Sequence, residues 1–561
     1  MKMKEDGEIM VREMLEAVRE WVPIQLDNFH SEYLGYVTPQ MYGAKGDGVT
    51  NDTDAVKNAI KNGSVIYFPE GTYLIDWGTV RLVNLSSKRI FGAGSQKSII
   101  RFNENHARSS VTNAKDGMLL FFSDNQNLSI QDIGFVYDND NNNVVYPTEN
   151  NVEAESVLLI FSGIMGDVTI DNCYFHIGGS ATVLPKDTLM WGKLGAKTLK
   201  ITNCLFENFT NREVGGCIWI TPNDKDGIED LTINELTIAN NELRNTNKDE
   251  AIGIWSLGGH TEFNIKNVLI TDNIAIRKNW NGTAFDFSDN VFTVYHNARA
   301  NVAIESNVVI TNNTVISENV KTDVIRVANI IGGKVCNNRI VINSIYGSNN
   351  VRFINPRYSK AVVKDNYCES NATTGHVGLS SLSGDVDFIG NVVETKGTNI
   401  WAINSYDAND GERHFNYVNN TFILNGYTLE LGKRGANHKI NFSKNKVKGN
   451  FAFNGAMAGT GLVLRDNTFN MDGTTQNPIS FNAQNMIFED NEGVTIVVDS
   501  SSVNKMDSFK YRGDMENLKF KVNNAVVDDS ESVRTQFFTE EQIVYYDAEY
   551  SNIDFGSEVV L

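Results

Sequence analysis

The sequence predicts an all-β solenoid with a short N-terminal helix and a β-rich C-terminal cap. Three observations lead to this prediction. A short motif with Asn or Cys at its fourth position recurs every 22–40 residues, the segments between copies alternate apolar and polar residues, and Asn makes up 71 of the 561 residues. Each copy has too little apolar surface to fold alone, so successive copies must stack around one shared core.

Composition excludes several classes of protein. The formal net charge is −20, and phosphate backbones repel an acidic surface, so we expect no nucleic-acid partner. No apolar run approaches the roughly 20 residues of a membrane span. The charged start, MKMKEDGEIM, is unlike an export signal, and five scattered cysteines are too few for a disulfide framework. We therefore expect folding in a reducing cytosol, with no metal and no cofactor.

The first segment, residues 1–36, is predicted to hold a helix over 6–22 followed by a linker. Apolar residues at Val11, Leu15, Val18 and Val22 have the spacing of a coiled-coil seam. Such a helix either packs on its own domain or serves docking and oligomerisation, and we assign it to docking or oligomerisation.

A compact block follows over residues 38–75. Three glycines within six residues predict a tight loop, and Asp52 or Thr53 can cap a helix with an apolar face. Beyond the helix, residues 63–75 have the pattern of two short strands joined by a turn.

The repeats occupy the predicted solenoid domain, residues 37–495. Asparagines stacked at one turn can share amide hydrogen bonds from rung to rung, so we assign them a structural role, and a cysteine fits the same small inward position. The repeat fades after residue 495, and the acidic segment 496–561 is predicted to be a cap or oligomerisation segment. The fourth positions fall at Cys173, Cys204, Asn241, Asn273, Asn313, Asn338, Asn366, Asn391, Asn420, Asn445, Asn467 and Asn491.

A second strand in each repeat points to a binding surface. Strand alternation buries Ile218, Ile254 and Ile325 and turns the residues between them outward. Exposed tryptophans suit stacking on sugar rings, and arginines can bind acidic groups of a glycan. The predicted outward stripe, with one residue on each rung, consists of Trp219, Trp255, Asp286, Arg326, Arg352 and, less regularly, Trp401.

Acidic residues near this stripe suggest hydrolysis. Glycoside hydrolysis uses two carboxyl groups about 5–10 Å apart, a distance that neighbouring rungs provide. Asp286 ranks first because it continues the Trp219–Trp255 line, and Glu250, Asp249 and Glu213 follow. A lyase would instead need a base such as His260, His296 or a tyrosine, with Arg326 neutralising a uronate.

The block that begins Tyr42-Gly-Ala-Lys-Gly-Asp-Gly-Val-Thr-Asn-Asp-Thr, with residues 65–75, resembles the N-terminal segment of the pectate-lyase-like superfamily. More narrowly, it is similar to the branch of bacteriophage tailspikes and polysaccharide depolymerases, and residues 91–100 resemble that family's first rung. The resemblance implies a right-handed parallel β-helix and a homotrimer. The paired Asp-Asp and His-Gly motifs of polygalacturonases do not occur at matching rungs, and the calcium-site residues of pectate lyases cannot be placed.

These observations predict a phage tailspike or fibre that binds and cleaves a bacterial surface polysaccharide, more readily by hydrolysis than by elimination. It would assemble in the host cytoplasm, join other virion proteins through its N-terminal region, and act at the bacterial surface. One alternative is a non-enzymatic virion adhesin or appendage. Another is a bacterial cell-wall enzyme, against which the missing export signal counts.

Overall fold

A computed structural model describes most of the chain between Gly35 and Phe537. The predicted helix over residues 6–22 lies outside the described residues. The described ranges are 35–76, 80–102, 118–138, 155–178, 186–209, 216–221, 231–245, 250–256, 265–278, 290–296, 303–380, 385–403, 413–431, 438–453, 461–470, 479–481, 485–499, 508–528 and 530–537.

The chain forms two compact units, Met1–Thr237 and Ile238–Leu561. Both are built as a right-handed parallel β-helix, as predicted. Each coil contributes one strand that ends at a tight turn, one that begins directly after the turn, and a third that leads back to the next coil. We call the resulting sheets the pre-turn, post-turn and third sheets. Nearly all strands pair in parallel with the equivalent strand one coil away.

The first unit supplies fewer coils. Its long strands Glu155–Asp171 and Lys186–Thr202 pair with each other through both the third and the pre-turn sheet. Its other strands are Val65–Phe68, Lys88–Gly92 and Leu128–Gln131 before the turn; Asp47–Asn51, Gly71–Ile75, Ser98–Phe102, Gly134–Asp138, Tyr174–Gly178 and Leu205–Asn208 after it; and Arg81–Val83, Met118–Ser123 and Ile218–Ile220 in the third sheet. The strand Ile233–Ala239 contains the boundary between the units.

The second unit repeats the same coil. Thr421–Leu431 and Lys446–Phe453 each run from the post-turn into the third sheet. Its other strands are Ile265–Thr271, Ile304–Glu305, Asn307–Thr311, Ile330–Cys336, Lys360–Lys364, Asp385–Ile389, Arg413–Val418, His438–Ser443, Gly461–Arg465, Asn485–Glu489 and Ser508–Arg512 before the turn; Glu242–Asn245, Ile274–Arg277, Thr314–Ser317, Arg339–Ile342, Tyr367–Ser370, Val392–Thr395 and Thr468–Asn470 after it; and Ile252–Ser256, Phe292–His296, Asp323–Ala328, Asn350–Asn355, His376–Ser380, Ile400–Ile403, Ile479–Phe481, Ile496–Asp499 and Leu518–Val522 in the third sheet.

The turn between the first two sheets carries the predicted asparagine ladder. From Asn241 to Asn467, the backbone N–H and the side-chain Nδ2 of each ladder residue donate to Oδ1 of the next one, at 2.8–3.3 Å. In the first unit, the Cys173 N–H donates to Cys204 Sγ at 3.4 Å in the same position. The ladder is therefore confirmed as structural.

The residue before each ladder position, the third of the repeat motif, is Asn or Asp in most copies. It adopts a left-handed conformation, as Asn312 and Asp466 do with φ of 57° and 54°. Asn, Asp and Gly tolerate this conformation best, because their short side chains meet the backbone with the least strain. The motif thus encodes a turn geometry and a hydrogen-bond ladder together.

Stacked aromatic rings fill much of the core. Phe135, Phe175 and Phe206 occupy equivalent positions on three coils of the first unit, with ring centroids 5.1 and 4.7 Å apart. Tyr417 and Phe442 lie in the core of the second unit, with ring centroids 6.3 Å apart and planes tilted by 49°. All five are fully buried, and burial of apolar area on this scale is the main force that holds the coils together.

The N-terminal block forms the predicted loop and helix, with one difference. A 3₁₀ turn over Pro39–Tyr42 precedes the helix Thr53–Asn62. The carboxylate of Asp52 does not cap this helix but accepts hydrogen bonds from the backbone N–H groups of Lys45 and Gly46, at 2.7 and 3.0 Å. The carboxylate of Asp52 therefore holds the glycine-rich loop in place.

Parallel pairing continues beyond residue 495. Ile496–Asp499 pairs with Leu518–Val522, which then forms an antiparallel pair with the strand Ala525–Asp528. A 3₁₀ turn over Met515–Asn517 and a short helix over Glu531–Phe537 complete the described C-terminal part. Among the described residues, no helix has the length and apolarity needed to cross a membrane.

Candidate functional site

The outward face of the third sheet in the second unit carries aromatic side chains on neighbouring rungs. Trp255 on Ile252–Ser256 is the backbone partner of Tyr295 on Phe292–His296. Their rings meet edge to face, with centroids 5.1 Å apart and an interplanar angle of 82°. Both side chains are half-buried, so each ring keeps an exposed part that a sugar could cover.

This pairing corrects the predicted stripe. Residues 285–288 were expected to form the strand after Trp255, but the strand that pairs with Ile252–Ser256 is Phe292–His296. Both segments alternate apolar and other residues, and the sequence alone does not distinguish their registers. Tyr295 therefore holds the position next to Trp255 that was assigned to Asp286, and Asp286 itself lies outside the described residues.

The two predicted arginines meet at a buried carboxylate. Asp323 has no exposed side-chain area, and it accepts hydrogen bonds from Arg352, from Arg326 at 3.3 Å and from Asn355 at 2.7 Å. The arginine side chains are 22% and 15% exposed. Asp323 fixes the two guanidinium groups at the surface while it neutralises part of their charge.

The arginines do not share one line along the sheet, as the stripe required. Arg326 has Asn355 as its backbone partner, whereas Arg352 has Asp323. The prediction gave both arginines the same outward position on their strands, because each follows an apolar residue in the sequence. The two strands instead pair with an offset. The guanidinium groups come together through Asp323 instead of through register.

A second aromatic group lies on the two strands that follow Asn350–Asn355 in the third sheet, His376–Ser380 and Ile400–Ile403. His376 stacks on Trp401 with ring centroids 4.3 Å apart and an interplanar angle of 13°. Gly378 is the backbone partner of both Arg352 and Trp401. Because glycine has no side chain, the surface between Arg352 and Trp401 is left open at that rung.

These residues form what we call the aromatic–arginine face. It covers six successive strands from Ile252–Ser256 to Ile400–Ile403, about 24 Å at the rung spacing of about 4.8 Å. Its members are Trp255, Tyr295, Arg326, Arg352, His376 and Trp401.

The other predicted site residues are either buried beneath the surface or lie outside the described residues. Glu250 is only 1% exposed, so its carboxyl group lies below the surface and not on the outward face. His296, considered as a lyase base, is also 1% exposed. The remaining predicted acids Asp249 and Glu213, together with His260, are outside the described residues.

Trp219 lies in the first unit and is half-buried there. Its backbone partner is Trp191, on the long strand Lys186–Thr202. Trp191 could not be recognised from the sequence, because residues 186–202 contain no copy of the short outward strand. Tyr295, Asp323 and His376 were not predicted either, and only the register of the strands reveals these three residues.

The described residues include no converging group of three or more His, Cys, Asp or Glu side chains suited to a metal ion. The side chains that the face presents are aromatic rings and guanidinium groups. Such a surface can stack on sugars and hold carboxylate or phosphate substituents.

Comparison with known proteins matches residues 38–301 to the family described as rhamnogalacturonase A/epimerase, pectate lyase-like. The preneck appendage protein of Bacillus phage PZA is 38% identical over 73 residues, which are 13% of this chain and 8% of that protein. A glucan 1,3-beta-glucosidase of Cochliobolus carbonum is 41% identical over 64 residues, covering 9% of this chain and 8% of the other.

The chain thus spans less than a tenth of the length of these two relatives. Among solved structures, the A-module of the mannuronan C-5 epimerase AlgE6 of Azotobacter vinelandii aligns over 79% of this chain and all of its own, with 12% identity and a TM-score of 0.41. The resemblance seen in the N-terminal block is confirmed: residues 38–301 match the model of the pectate lyase-like family.

Proposed function

We propose that this chain is a phage tailspike- or fibre-type protein that binds a bacterial surface polysaccharide along the aromatic–arginine face. The observation that carries the proposal is the alternation along one sheet of an aromatic pair, two guanidinium groups and a second aromatic stack. Sugar rings would stack on Trp255 and Trp401, while Arg326 and Arg352 would hold acidic substituents.

The phage assignment is supported by the match to a Bacillus phage preneck appendage protein. On this proposal the protein is assembled in the host cytoplasm and belongs to the virion tail or an appendage. It would be a homotrimer, attached to other virion proteins through residues 1–36, and would act at the bacterial surface as a host-recognition protein.

We further propose that the bound glycan is cleaved by hydrolysis, with Asp286 as the first candidate and Asp249 and Glu213 after it. Paired carboxyl groups on neighbouring rungs have the separation that glycosidases use, about 5–10 Å. The alternative is a virion adhesin that binds without cleaving. The burial of Glu250 favours this alternative, because a catalytic acid must reach the glycosidic oxygen.

The test combines binding and cleavage. Purified protein is incubated with host capsular or wall polysaccharide, and binding is measured by calorimetry while new reducing ends are counted. We expect Trp255→Ala to weaken binding about tenfold or more, since loss of a central aromatic anchor costs over about 1.4 kcal/mol. Tyr346→Ala is the control, because Tyr346 is 44% exposed and lies off the third sheet.

Cleavage is tested separately. Asp286→Asn should abolish the release of reducing ends and leave folding and binding unchanged, whereas Asp528→Asn should leave all three unchanged. Reducing ends released at the wild-type rate by Asp286→Asn would remove Asp286 from the mechanism. Binding with no reducing ends from any host glycan would decide for the adhesin, and failure of both binding and cleavage would reject the proposed function.

A further inference from the structure

The second unit carries three exposed lysines within five residues at one turn. Lys444 has the left-handed turn conformation before the ladder residue Asn445, with φ of 57°. Lys446 and Lys448 follow on the outward side of the strand that begins at Lys446. No ion pair joins any of the three lysines to another described residue. We call these three residues the lysine cluster.

The neighbouring coils compensate the charge of the lysine cluster only weakly. The backbone partners of Lys446 and Lys448 on both sides are uncharged: Thr421, Thr468, Ile423 and Asn470. Asp466 holds the turn position of Lys444 one coil further on, but these two described residues form no ion pair. Like charges a few ångströms apart repel one another, and a bound anion would offset this repulsion.

Five other cations of the last coils already have carboxylate partners. Arg465 and Lys510 pair with Glu489, Arg512 with Asp490, Lys519 with Asp528 and Lys521 with Asp499. Each of these partners cancels charge that a further anion would otherwise feel. A carboxylate that approaches the last coils is therefore attracted more strongly to the lysine cluster than to these five groups.

The sequence that follows the last described helix is acidic throughout. Residues 538–561 lie outside the described residues, and these 24 residues include six acidic and no basic side chains. A run of like charges favours a surface of the opposite charge. The acidic residues are Glu540, Glu541, Asp547, Glu549, Asp554 and Glu558.

This acidic segment starts within reach of the lysine cluster. Phe537, the last described residue, is buried against Phe520, with ring centroids 5.1 Å apart. The strand of Phe520, Leu518–Val522, lies three rungs beyond Lys446–Phe453 in the third sheet. Three rungs are about 14 Å, and 12 extended residues span about 40 Å. Half of the segment is thus long enough to reach the cluster.

We infer that residues 538–561 dock on the lysine cluster of their own chain and form a cap over the last coils, held by ion pairs. The same chain is favoured because a short tether gives an effective concentration on the order of millimolar. Each exposed ion pair shifts an equilibrium about 1.4- to 5-fold, so three together shift docking about 3- to 150-fold. The inference goes beyond the proposed function, because it concerns a contact within the chain and not with a glycan.

Cross-linking of the whole protein tests where the segment docks. A carbodiimide joins a lysine amine directly to a carboxylate that touches it, and the single-chain band of a denaturing gel contains only links within one copy. We expect links from the lysine cluster to residues 540–558 in that band. They should disappear at about 1 M salt, where the screening length falls to about 3 Å. No such links, or links only in bands of two or more chains, would overturn the inference.

Hydrogen exchange of the same segment tests the role of charge. Exchange of the amides in residues 538–561 should become about threefold or more faster when the cluster loses its charge. Replacement of the same lysines by arginine should keep the wild-type exchange, because arginine retains the charge. The neutral variant is Lys444→Gln/Lys446→Gln/Lys448→Gln.

A matched control removes the same net charge from three other exposed lysines of the second unit. This control is Lys266→Gln/Lys334→Gln/Lys360→Gln. It should leave the exchange of residues 538–561 unchanged, and thermal unfolding shows whether each variant is folded. Wild-type exchange in the folded neutral variant of the cluster, or an equal acceleration in the control, would overturn the inference.

Discussion

Arg352 donates a hydrogen bond to Asp323 on the neighbouring rung, and the side chain of Asp323 is completely buried. This contact places a negative charge beneath the surface and a positive group above it. Because Arg326 binds the same carboxylate, one buried residue organises the cationic part of the aromatic–arginine face. The proposed glycan-binding surface therefore depends on a residue that no glycan could touch.

Asp323→Asn should destabilise the fold and weaken glycan binding. Removing one partner of a buried ion pair costs about 3–5 kcal/mol, because the remaining charges lose their compensation. Urea unfolding followed by circular dichroism measures this change. Asp528→Asn serves as the control, since Asp528 pairs with Lys519 but is 84% exposed, and its midpoint should stay at the wild-type value. An unchanged midpoint for Asp323→Asn would show that the arginines do not depend on this carboxylate.

Asn391→Ala should destabilise the second unit through the ladder. The Asn391 side chain donates to Asn420 Oδ1 and to the Val363 carbonyl, and it accepts from Asn366, at 2.9–3.1 Å. We expect a loss of about 2–5 kcal/mol, because each buried group left unpaired costs about 1–3 kcal/mol. Chemical unfolding tests this, with the exposed Asn470→Ala as the control. Equal unfolding midpoints for the two variants would mean that the ladder contributes little to the stability of the fold.

Lys396→Met should reduce stability in a pH-dependent way. Lys396 donates to Glu369 at 2.6 Å, and this hydrogen bond lowers the pKa of Glu369 below its usual value. The folded state then favours the ionised form, so the stabilisation is present above the unfolded pKa of about 4.3. It is lost as the pH falls through the lower pKa of the folded protein.

Thermal unfolding of wild type and Lys396→Met between neutral and acidic pH measures this effect. The gap between the two melting temperatures should be small, because Lys396 is half-exposed, and it should close at low pH. Lys197→Met is the control: Lys197 lies 3.8 Å from Asp167 with both side chains exposed, and we expect no pH-dependent gap. A gap that persists at low pH would contradict the assignment of the shift to Lys396.

Trp401→Ala should weaken glycan binding without unfolding the protein. The variant removes the ring that stacks on His376, and this ring is half-exposed. We expect affinity to fall about tenfold, equivalent to about 1.4 kcal/mol. Calorimetry with host polysaccharide measures it, and His376→Ala should give a smaller loss in the same direction. Wild-type affinity in Trp401→Ala would place Trp401 outside the glycan-binding surface.

The sequence was sufficient to predict the solenoid and its ladder, because each rung repeats the same hydrogen bonds and the same left-handed turn. Asn313 and Asn338 are recognisable from spacing alone, since their partners are copies of themselves. The position of Trp255 was also predictable, because strand alternation turned it outward next to buried Ile254.

The candidate site was less predictable because it depends on register between strands far apart in sequence. The segment around Asp286 and the strand Phe292–His296 have similar patterns, and only backbone pairing identifies the second as the partner of Trp255's strand. Asp323 could not be predicted for a related reason. A single acidic residue at the start of a strand does not indicate that two arginines on different strands bind it.

The most direct test of glycan binding by the aromatic–arginine face is a crystal structure of the protein with an oligosaccharide prepared from its host's surface polysaccharide. We expect sugar rings stacked on Trp255 and Trp401, with an acidic or hydroxyl substituent bound by Arg326 or Arg352. An oligosaccharide bound on another sheet, with these four side chains uncovered, would contradict it.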